Sequence, residues 1–291
     1  MLKFRTGRTA KIEDLWYKIL LHGDSGAGKT WMSSSAPNPI VMLTERNGEQ
    51  SVRMSAADAP YVIVSNMVEV RAFFKMAALE SWADAGLTRP DTLVIDGLTE
   101  IQRMLKIEIQ ESREDGEFSI RDWGTLNEKM RGLLGKMRDL PYHVVCTALS
   151  ETEAAEDVRY IDPQFQGRKT GGEVMQYFNA VGYVFKRVGA SGARGRRGQK
   201  TDDTADVKGT QHVAMFDGPA RIKCKSCYPL GGTRTGPISD WIDELLAGGK
   251  VDDEPVKEAP ETAEDEPANP PEEKAPEEKP KRRRGRRKPT A

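Results

Sequence analysis

The chain has 291 residues, of which 37% are hydrophobic, and its 44 basic and 45 acidic residues nearly cancel. This length is enough for one large domain or two small ones with a sizeable core. No apolar run approaches the roughly 18 residues of a membrane span, and the 3 cysteines are too few for a disulfide framework. We therefore expect a soluble protein of a reducing cytoplasm, without a membrane partner or an export signal.

The clearest motif lies near the amino terminus, where residues 17–22 predict a buried strand. The pattern G-x-x-x-x-G-K-[ST], the P-loop, follows in the strand-to-helix setting that the motif requires. Its residues are Gly23, Asp24, Ser25, Gly26, Ala27, Gly28, Lys29 and Thr30. The glycines allow successive backbone N–H groups to point at phosphate oxygens. We expect Lys29 to reach the β- and γ-phosphates of ATP and the Thr30 hydroxyl to bind Mg²⁺.

Two later strands end in carboxylates that such a site requires. Four strand formers precede Asp96, which we interpret as the Walker B residue that shares Mg²⁺ with the P-loop. Another buried strand precedes Glu45, our candidate for activating the attacking water, with Glu49 as the alternative. Gly97 follows Asp96, at the position where many P-loop ATPases carry a glutamate. The catalytic acid must therefore come from elsewhere.

Strand and helix patterns alternate through the rest of the chain, which predicts a mainly parallel, twisted sheet flanked by helices. An amphipathic stripe predicts a long helix over residues 123–140, and a buried strand follows over 143–148. Ligands bind at the carboxyl ends of such strands. Thr147 lies at one of these ends, either to sense the γ-phosphate or to pack in the core. Residues 182–188 and 211–216 predict a β-hairpin region near the end of the domain.

The P-loop, a glutamate after the following strand and an Asp96-type carboxylate without an adjacent glutamate together resemble the RecA-type ATPase core. Residues 169–181 resemble the RecA segment in which a DNA-binding loop with paired glycines leads into a helix and a strand. Residues 221–225 resemble the lysine pair that RecA proteins insert into a neighbouring subunit's nucleotide site. Since residues i and i+2 share a strand face, the resemblance implies that role for Lys223 and Lys225 together.

The compact size and the start of the long helix look most like phage-encoded RecA-like P-loop ATPases, the phage nucleotide-binding and single-strand annealing proteins. This resemblance implies a ring or filament of identical subunits that acts on single-stranded DNA in recombination or replication, in the cytoplasm of a bacterial host. It also implies a single-strand binding protein or another replication protein as a further partner. Two alternatives stay open: a DNA-binding assembly protein with ATP as a structural ligand, and a small-molecule kinase.

In that family, DNA meets loops that correspond here to residues 112–122 and 150–172. The second loop mixes cations with aromatic residues, which suit phosphates and unpaired bases, and a third loop, 189–209, is rich in arginine. The candidate DNA-binding residues are Arg159, Phe165, Arg168, Lys169, Arg194, Arg196 and Arg197.

Composition predicts the domain boundaries. Residues 249–291 contain 8 of the 17 prolines and no aromatic residue, which predicts a disordered tail. This tail is acidic up to Glu278 and basic from Lys281 onwards. We expect the ATPase domain to span residues 15–248, after an N-terminal extension of residues 1–14.

Overall fold

The structure is a computed structural model that describes residues 16–155, 158–167, 170–188 and 210–247. These residues all belong to the first of two units of the chain, Met1–Asp253, while the second, Glu254–Ala291, lies outside them. The predicted N-terminal extension, the 189–209 loop and the tail also lie outside the described residues. The same holds for five candidate DNA-binding residues: Arg168, Lys169, Arg194, Arg196 and Arg197.

The described part of the chain alternates strands and helices as predicted. In chain order its elements are β1 (Lys18–Gly23), α1 (Lys29–Ser34), β2 (Pro39–Leu43), α2 (Gly48–Ser55), β3 (Tyr61–Ile63), α3 (Met67–Leu79), β4 (Thr92–Asp96), α4 (Leu98–Glu111), α5 (Asp122–Asp139), β5 (His143–Ala155), β6 (Val158–Pro163), α6 (Thr170–Val174), β7 (Ala180–Val188), β8 (Thr210–Met215), β9 (Lys225–Ser226), β10 (Thr233–Thr235) and α7 (Ile238–Leu246). Short 3-10 helices span Ser81–Ala85 and Met175–Tyr177.

One sheet organises these elements, in the strand order β10-β8-β7-β1-β5-β4-β2-β3. The strands from β7 to β3 pair in parallel, while β8 and β10 extend the sheet in antiparallel fashion on one side. Strands buried on both faces read as continuous apolar runs, and β1 and β4 do so. The predicted α/β fold class, a mainly parallel sheet flanked by helices with a C-terminal β-hairpin region, is confirmed.

Helices cover both faces of the sheet and divide the core into two clusters. On one face, α3, α4 and α5 bury residues such as Phe74, Ile101 and Leu134. On the other, α1 and α7 bury Met32 and Trp241. The apolar residues of α5 recur at helical spacing, so the stripe that predicts this helix is the surface that packs on the sheet. Within the described ranges, no helix has the length and apolar character needed to cross a bilayer.

The segment predicted as the second DNA loop folds differently. β5 continues to Ala155, well past the expected end of the strand, and pairs in antiparallel fashion with β6. The loop prediction for residues 150–172 is therefore wrong over the part that forms this β5–β6 hairpin. Because β5 pairs in parallel with β1 up to residue 149, the hairpin extends beyond the carboxyl edge of the sheet, where the P-loop also lies.

Phe165 follows the hairpin and lies in the core, not at a DNA-binding surface. Its side chain is only 4% exposed and belongs to the cluster under α4. Two polar side chains of α4 fix the flanking backbone. The Thr99 hydroxyl donates to the Gln164 carbonyl, 3.1 Å away, and Gln102 bonds both the N–H and the carbonyl of Gln166. The prediction that Phe165 stacks on bases is wrong for this fold, because the ring has no free face.

Residues 221–225 do not form a regular strand: β9 begins only at Lys225, and Ile222 makes an isolated bridge with Ile161. The backbone of Lys223 is used elsewhere: its N–H donates to Ile161 of β6 at 2.9 Å, and its carbonyl accepts from buried His22 at 2.7 Å. Lys223 is exposed and Lys225 is partly buried. The two lysines therefore do not share the face of a regular strand, and a common direction for them is not supported.

Candidate active site at the P-loop

Three glycines allow the P-loop to take the shape of a phosphate cradle, because each lies where a side chain would clash or where φ is positive. A Cβ on Gly23 would lie 2.3 Å from the Val184 carbonyl oxygen, so no side chain fits where β1 passes β7. Gly26 and Gly28 adopt φ angles of 74° and 100°, in the left-handed region that favours glycine. The predicted loop is thus confirmed as a strand-to-helix turn with Asp24 exposed at its tip.

The side chain of Lys29 is buried and folds back onto the backbone of the P-loop. Its ammonium group donates at 2.8 Å to the carbonyls of Gly23 and Asp24. Burial lowers the pKa of Lys29, and the nearby carboxylates of Asp96, Asp24 and Glu45 oppose that shift. Asp96 and Glu45, which the sequence predicts at the ends of separate strands, therefore both act electrostatically on one lysine.

Thr30 and Asp96 are in direct contact, as expected for a pair that shares one divalent cation. The Thr30 hydroxyl donates to Asp96 Oδ2 at 2.8 Å. The Thr147 hydroxyl donates to the other carboxylate oxygen. Burial raises the pKa of Asp96, while these two hydroxyls and the charge of Lys29 oppose the increase. Thr147 thus acts on Asp96, and its direct contact with a γ-phosphate stays a prediction.

Thr44, which the sequence did not single out, ties the ends of β2 and β4 together. Its backbone N–H and its hydroxyl both donate to the Asp96 carbonyl, at 2.7 and 3.1 Å. The same hydroxyl accepts from the Gly97 N–H at 3.0 Å. A Cβ on Gly97 would lie 2.9 Å from the Thr147 hydroxyl oxygen. A side chain directly after Asp96 would therefore displace Thr147, and the candidate catalytic acids lie on another element.

Glu45 meets that requirement better than Glu49. Glu45 follows the carboxyl end of β2, is exposed, and acts electrostatically on Lys29. Glu49 lies in α2 and accepts a hydrogen bond at 3.1 Å from the hydroxyl of Tyr61 on the edge strand β3. Of the two candidates, Glu45 therefore stays the preferred catalytic acid, because it acts electrostatically on Lys29.

His22, the residue before the P-loop, connects it to the hairpin. The ring is fully buried, with Nδ1 2.8 Å from the Ser150 hydroxyl and Nε2 2.7 Å from the Lys223 carbonyl. A carbonyl only accepts, so Nε2 carries the proton and Nδ1 accepts from Ser150. Burial lowers the pKa of His22 to about 4. A neutral ring therefore joins β1, the base of the β5–β6 hairpin and the segment with Lys223.

The described part of the proposed DNA surface is of mixed charge. Arg159 and Tyr160 of β6 are exposed. Glu151 and Glu153 of β5 pair with Asp162 and Tyr160, so these side chains share one face of the hairpin. Burial and mutual repulsion raise the pKa of Glu151. The face with three carboxylates is unsuited to phosphates, and Arg159, whose partner in the ladder is Ala154, lies on the opposite face.

A family model for the AAA domain matches residues 16–228. The chain belongs to the AAA domain family. This AAA domain is a P-loop ATPase, and the matched range contains the P-loop, Asp96, Thr147 and the hairpin. The nucleotide binding and ATPase activity predicted from the P-loop are thus confirmed.

Among curated proteins, none matches this AAA domain. Three solved structures are similar in fold. A KaiC-like protein from Pyrococcus horikoshii has 12% identity and a TM-score of 0.33, over 75% of this chain and 88% of that one. The flagellar accessory protein FlaH from Methanocaldococcus jannaschii has 9% identity and a TM-score of 0.31, over 70% and 80%. An ATPase from the type III secretion system of pathogenic bacteria has 18% identity and a TM-score of 0.37, over 59% of this chain and 54% of that one.

Proposed function

We propose that this AAA domain hydrolyses ATP with Mg²⁺ and couples the reaction to single-stranded DNA. The observation that carries the first part is the 2.8 Å contact between Thr30 and Asp96 beside the buried ammonium group of Lys29. The residues fit the ligand chemically. A hydroxyl and a carboxylate are oxygen ligands of the kind that Mg²⁺ prefers, and the glycine cradle leaves backbone N–H groups for phosphate oxygens.

Each residue then has a distinct part in the reaction. Lys29 binds β- and γ-phosphate oxygens, while Thr30 and Asp96 hold Mg²⁺. Mg²⁺, when bound, neutralises charge that develops on the phosphate oxygens. Glu45 orients the attacking water and accepts its proton. Thr147 holds the carboxylate of Asp96 in the direction of Thr30.

The nucleotide site is tested by equilibrium binding of ATP to Lys29→Ala. We expect this substitution to abolish measurable binding, because Lys29 is the only cation of the loop. Lys75→Ala, at an exposed position of α3, is the matched control and should bind as the wild type does. Unchanged ATP affinity in Lys29→Ala would contradict the assignment.

Single-stranded DNA is the proposed partner because the β5–β6 hairpin projects from the same sheet edge as the P-loop. Arg159 offers an exposed cation on the hairpin face opposite the three carboxylates, and such a cation is suited to phosphate oxygens. The test measures phosphate release with single-stranded DNA, duplex DNA or nucleosides, over a series of salt concentrations. Stimulation by single strands that weakens with salt supports the proposal. Stimulation by nucleosides alone would instead indicate a small-molecule kinase.

Self-association of the kind found in phage RecA-like proteins is part of the same proposal, with Lys223 acting on a neighbour's nucleotide. The exposure of Lys223 supports this arrangement. Subunits with Lys223→Ala and subunits with Lys29→Ala, each inactive alone, are mixed and assayed for phosphate release. Recovered activity is expected, because one interface in the mixture would combine an intact P-loop with an intact Lys223. Absence of recovery would mean two independent defects.

A further inference from the structure

The strand order sets the direction of a nucleotide along the sheet edge. The P-loop follows β1, and Asp96 ends β4, two strands away on one side. The Thr30–Asp96 pair marks the end of the site where the γ-phosphate and the cation belong. The nucleoside must then leave the P-loop on the opposite side, toward β7 and β8. This step rests on the proposed nucleotide site.

His212 of β8 lies at that opposite side, level with the P-loop. β1 and β7 stay paired up to His22 and Tyr183, and the β7–β8 ladder continues past this point to Lys186 and His212. His212 Nδ1 is 2.7 Å from the carbonyl oxygen of Ala27. Because a carbonyl only accepts, Nδ1 donates, and the ring is fixed against the loop.

Gly28 makes room for this ring. A Cβ on Gly28 would lie 2.2 Å from His212 Nδ1, far inside van der Waals contact. The glycine of the motif thus serves two purposes here, a positive φ and a close approach of an imidazole.

Trp31 completes an aromatic pair beside the loop. It follows Thr30 in α1, and its ring centroid lies 5.6 Å from that of His212 with the planes inclined by 35°. Both side chains are partly buried, so each retains an exposed portion. Aromatic rings of this kind bind nucleobases by stacking, with little dependence on the identity of the base.

We propose that Trp31 and His212 form the nucleobase subsite of this AAA domain, a stacking platform for the purine ring of the nucleotide. His212, held by Ala27, supports the indole of Trp31, which stacks on the base. The platform would contact the nucleoside part of ATP, whereas the P-loop contacts the phosphates. Ligands with and without a base can therefore distinguish the contribution of the platform from that of the P-loop.

The test compares the binding of ATP with that of inorganic tripolyphosphate, which lacks a base. We expect Trp31→Ala to weaken ATP binding about tenfold, the usual value of one base–aromatic stack, and to leave tripolyphosphate binding unchanged. Trp31→Phe should retain most of the ATP affinity, and His212→Ala should lose part of it. Trp16→Ala is the matched control, since Trp16 lies before β1, beside His143, at the amino edge of the sheet.

The outcomes separate the subsite from the P-loop. Equal weakening of both ligands in Trp31→Ala would mean a damaged phosphate cradle and would overturn the platform, as would unchanged ATP affinity. Lys29→Ala should weaken both ligands together. If the wild type binds neither ligand, the proposed nucleotide site fails, and the platform that rests on it fails as well.

Discussion

Acidification should destabilise this domain through His22. The ring is fully buried and neutral, and its pKa is lowered from 6.5 to about 4, chiefly by burial. In the unfolded chain the same ring titrates near its ordinary value. Between these pH values the unfolded state binds more protons, so the free energy of unfolding falls as the pH decreases from 6.5 to about 4. Above that window His22 causes no further change.

The magnitude follows from the two pKa values. Each tenfold change in proton affinity is worth ~1.4 kcal/mol, so the full window amounts to about 3 kcal/mol for His22. His143, whose pKa burial also lowers to about 4, adds a loss of its own. The wild type should therefore lose stability more steeply than a variant that lacks only His22.

His22→Gln supplies that variant, because a glutamine amide can donate to the Lys223 carbonyl and accept from the Ser150 hydroxyl without titrating. Urea unfolding followed by tryptophan fluorescence gives the free energy of unfolding of both proteins from above pH 6.5 down to about pH 4. The difference between them should shrink by up to about 3 kcal/mol across the window. Parallel pH profiles would refute the assignment of a neutral, buried His22.

Three further predictions concern the site and the hairpin. Glu45→Gln should abolish phosphate release and retain ATP binding, whereas Glu49→Gln should leave release unchanged; the reverse pattern would assign the water to Glu49. Thr147→Val, which removes a hydroxyl from Asp96, should reduce phosphate release about tenfold and move the acidic limb of its pH profile upward, with recovery in Thr147→Ser. Phe165→Ala should lower the free energy of unfolding, measured with urea, by about 3 kcal/mol because the ring is buried in the core. A loss of DNA binding at unchanged stability would instead support the contact with bases that the sequence predicts.

The sequence predicts the phosphate end of the site because its determinants are local. The P-loop occupies one continuous stretch, and Asp96 and Glu45 each follow a short apolar strand whose carboxyl end must lie at the same edge of a parallel sheet. Thr147 is placed at the right edge for the same reason. Its bond to Asp96 could not be foreseen, because it depends on the side-chain geometry of two different strands.

Non-local pairing accounts for what the sequence does not predict. The β5–β6 hairpin arises because β5 passes from parallel to antiparallel partners without a glycine or proline to mark the change. His212 reaches the P-loop only through the β7–β8 ladder, far along the chain. Phe165 is an aromatic residue in a segment rich in cations, so the sequence favours base stacking over burial. Its place in the core depends on the hydrogen bonds from α4 to the backbone of Gln164 and Gln166.

Nucleotide-dependent uptake of Mn²⁺, which can replace Mg²⁺ at oxygen ligands, tests whether Lys29, Thr30 and Asp96 form one site. The free metal is followed by electron paramagnetic resonance with a non-hydrolysable ATP analogue present or absent. The wild type should take up Mn²⁺ only with the analogue, Lys29→Ala should take up none, and Asp96→Asn should bind the analogue with little metal. Equal Mn²⁺ uptake by Asp96→Asn and the wild type would show that this carboxylate does not serve the nucleotide.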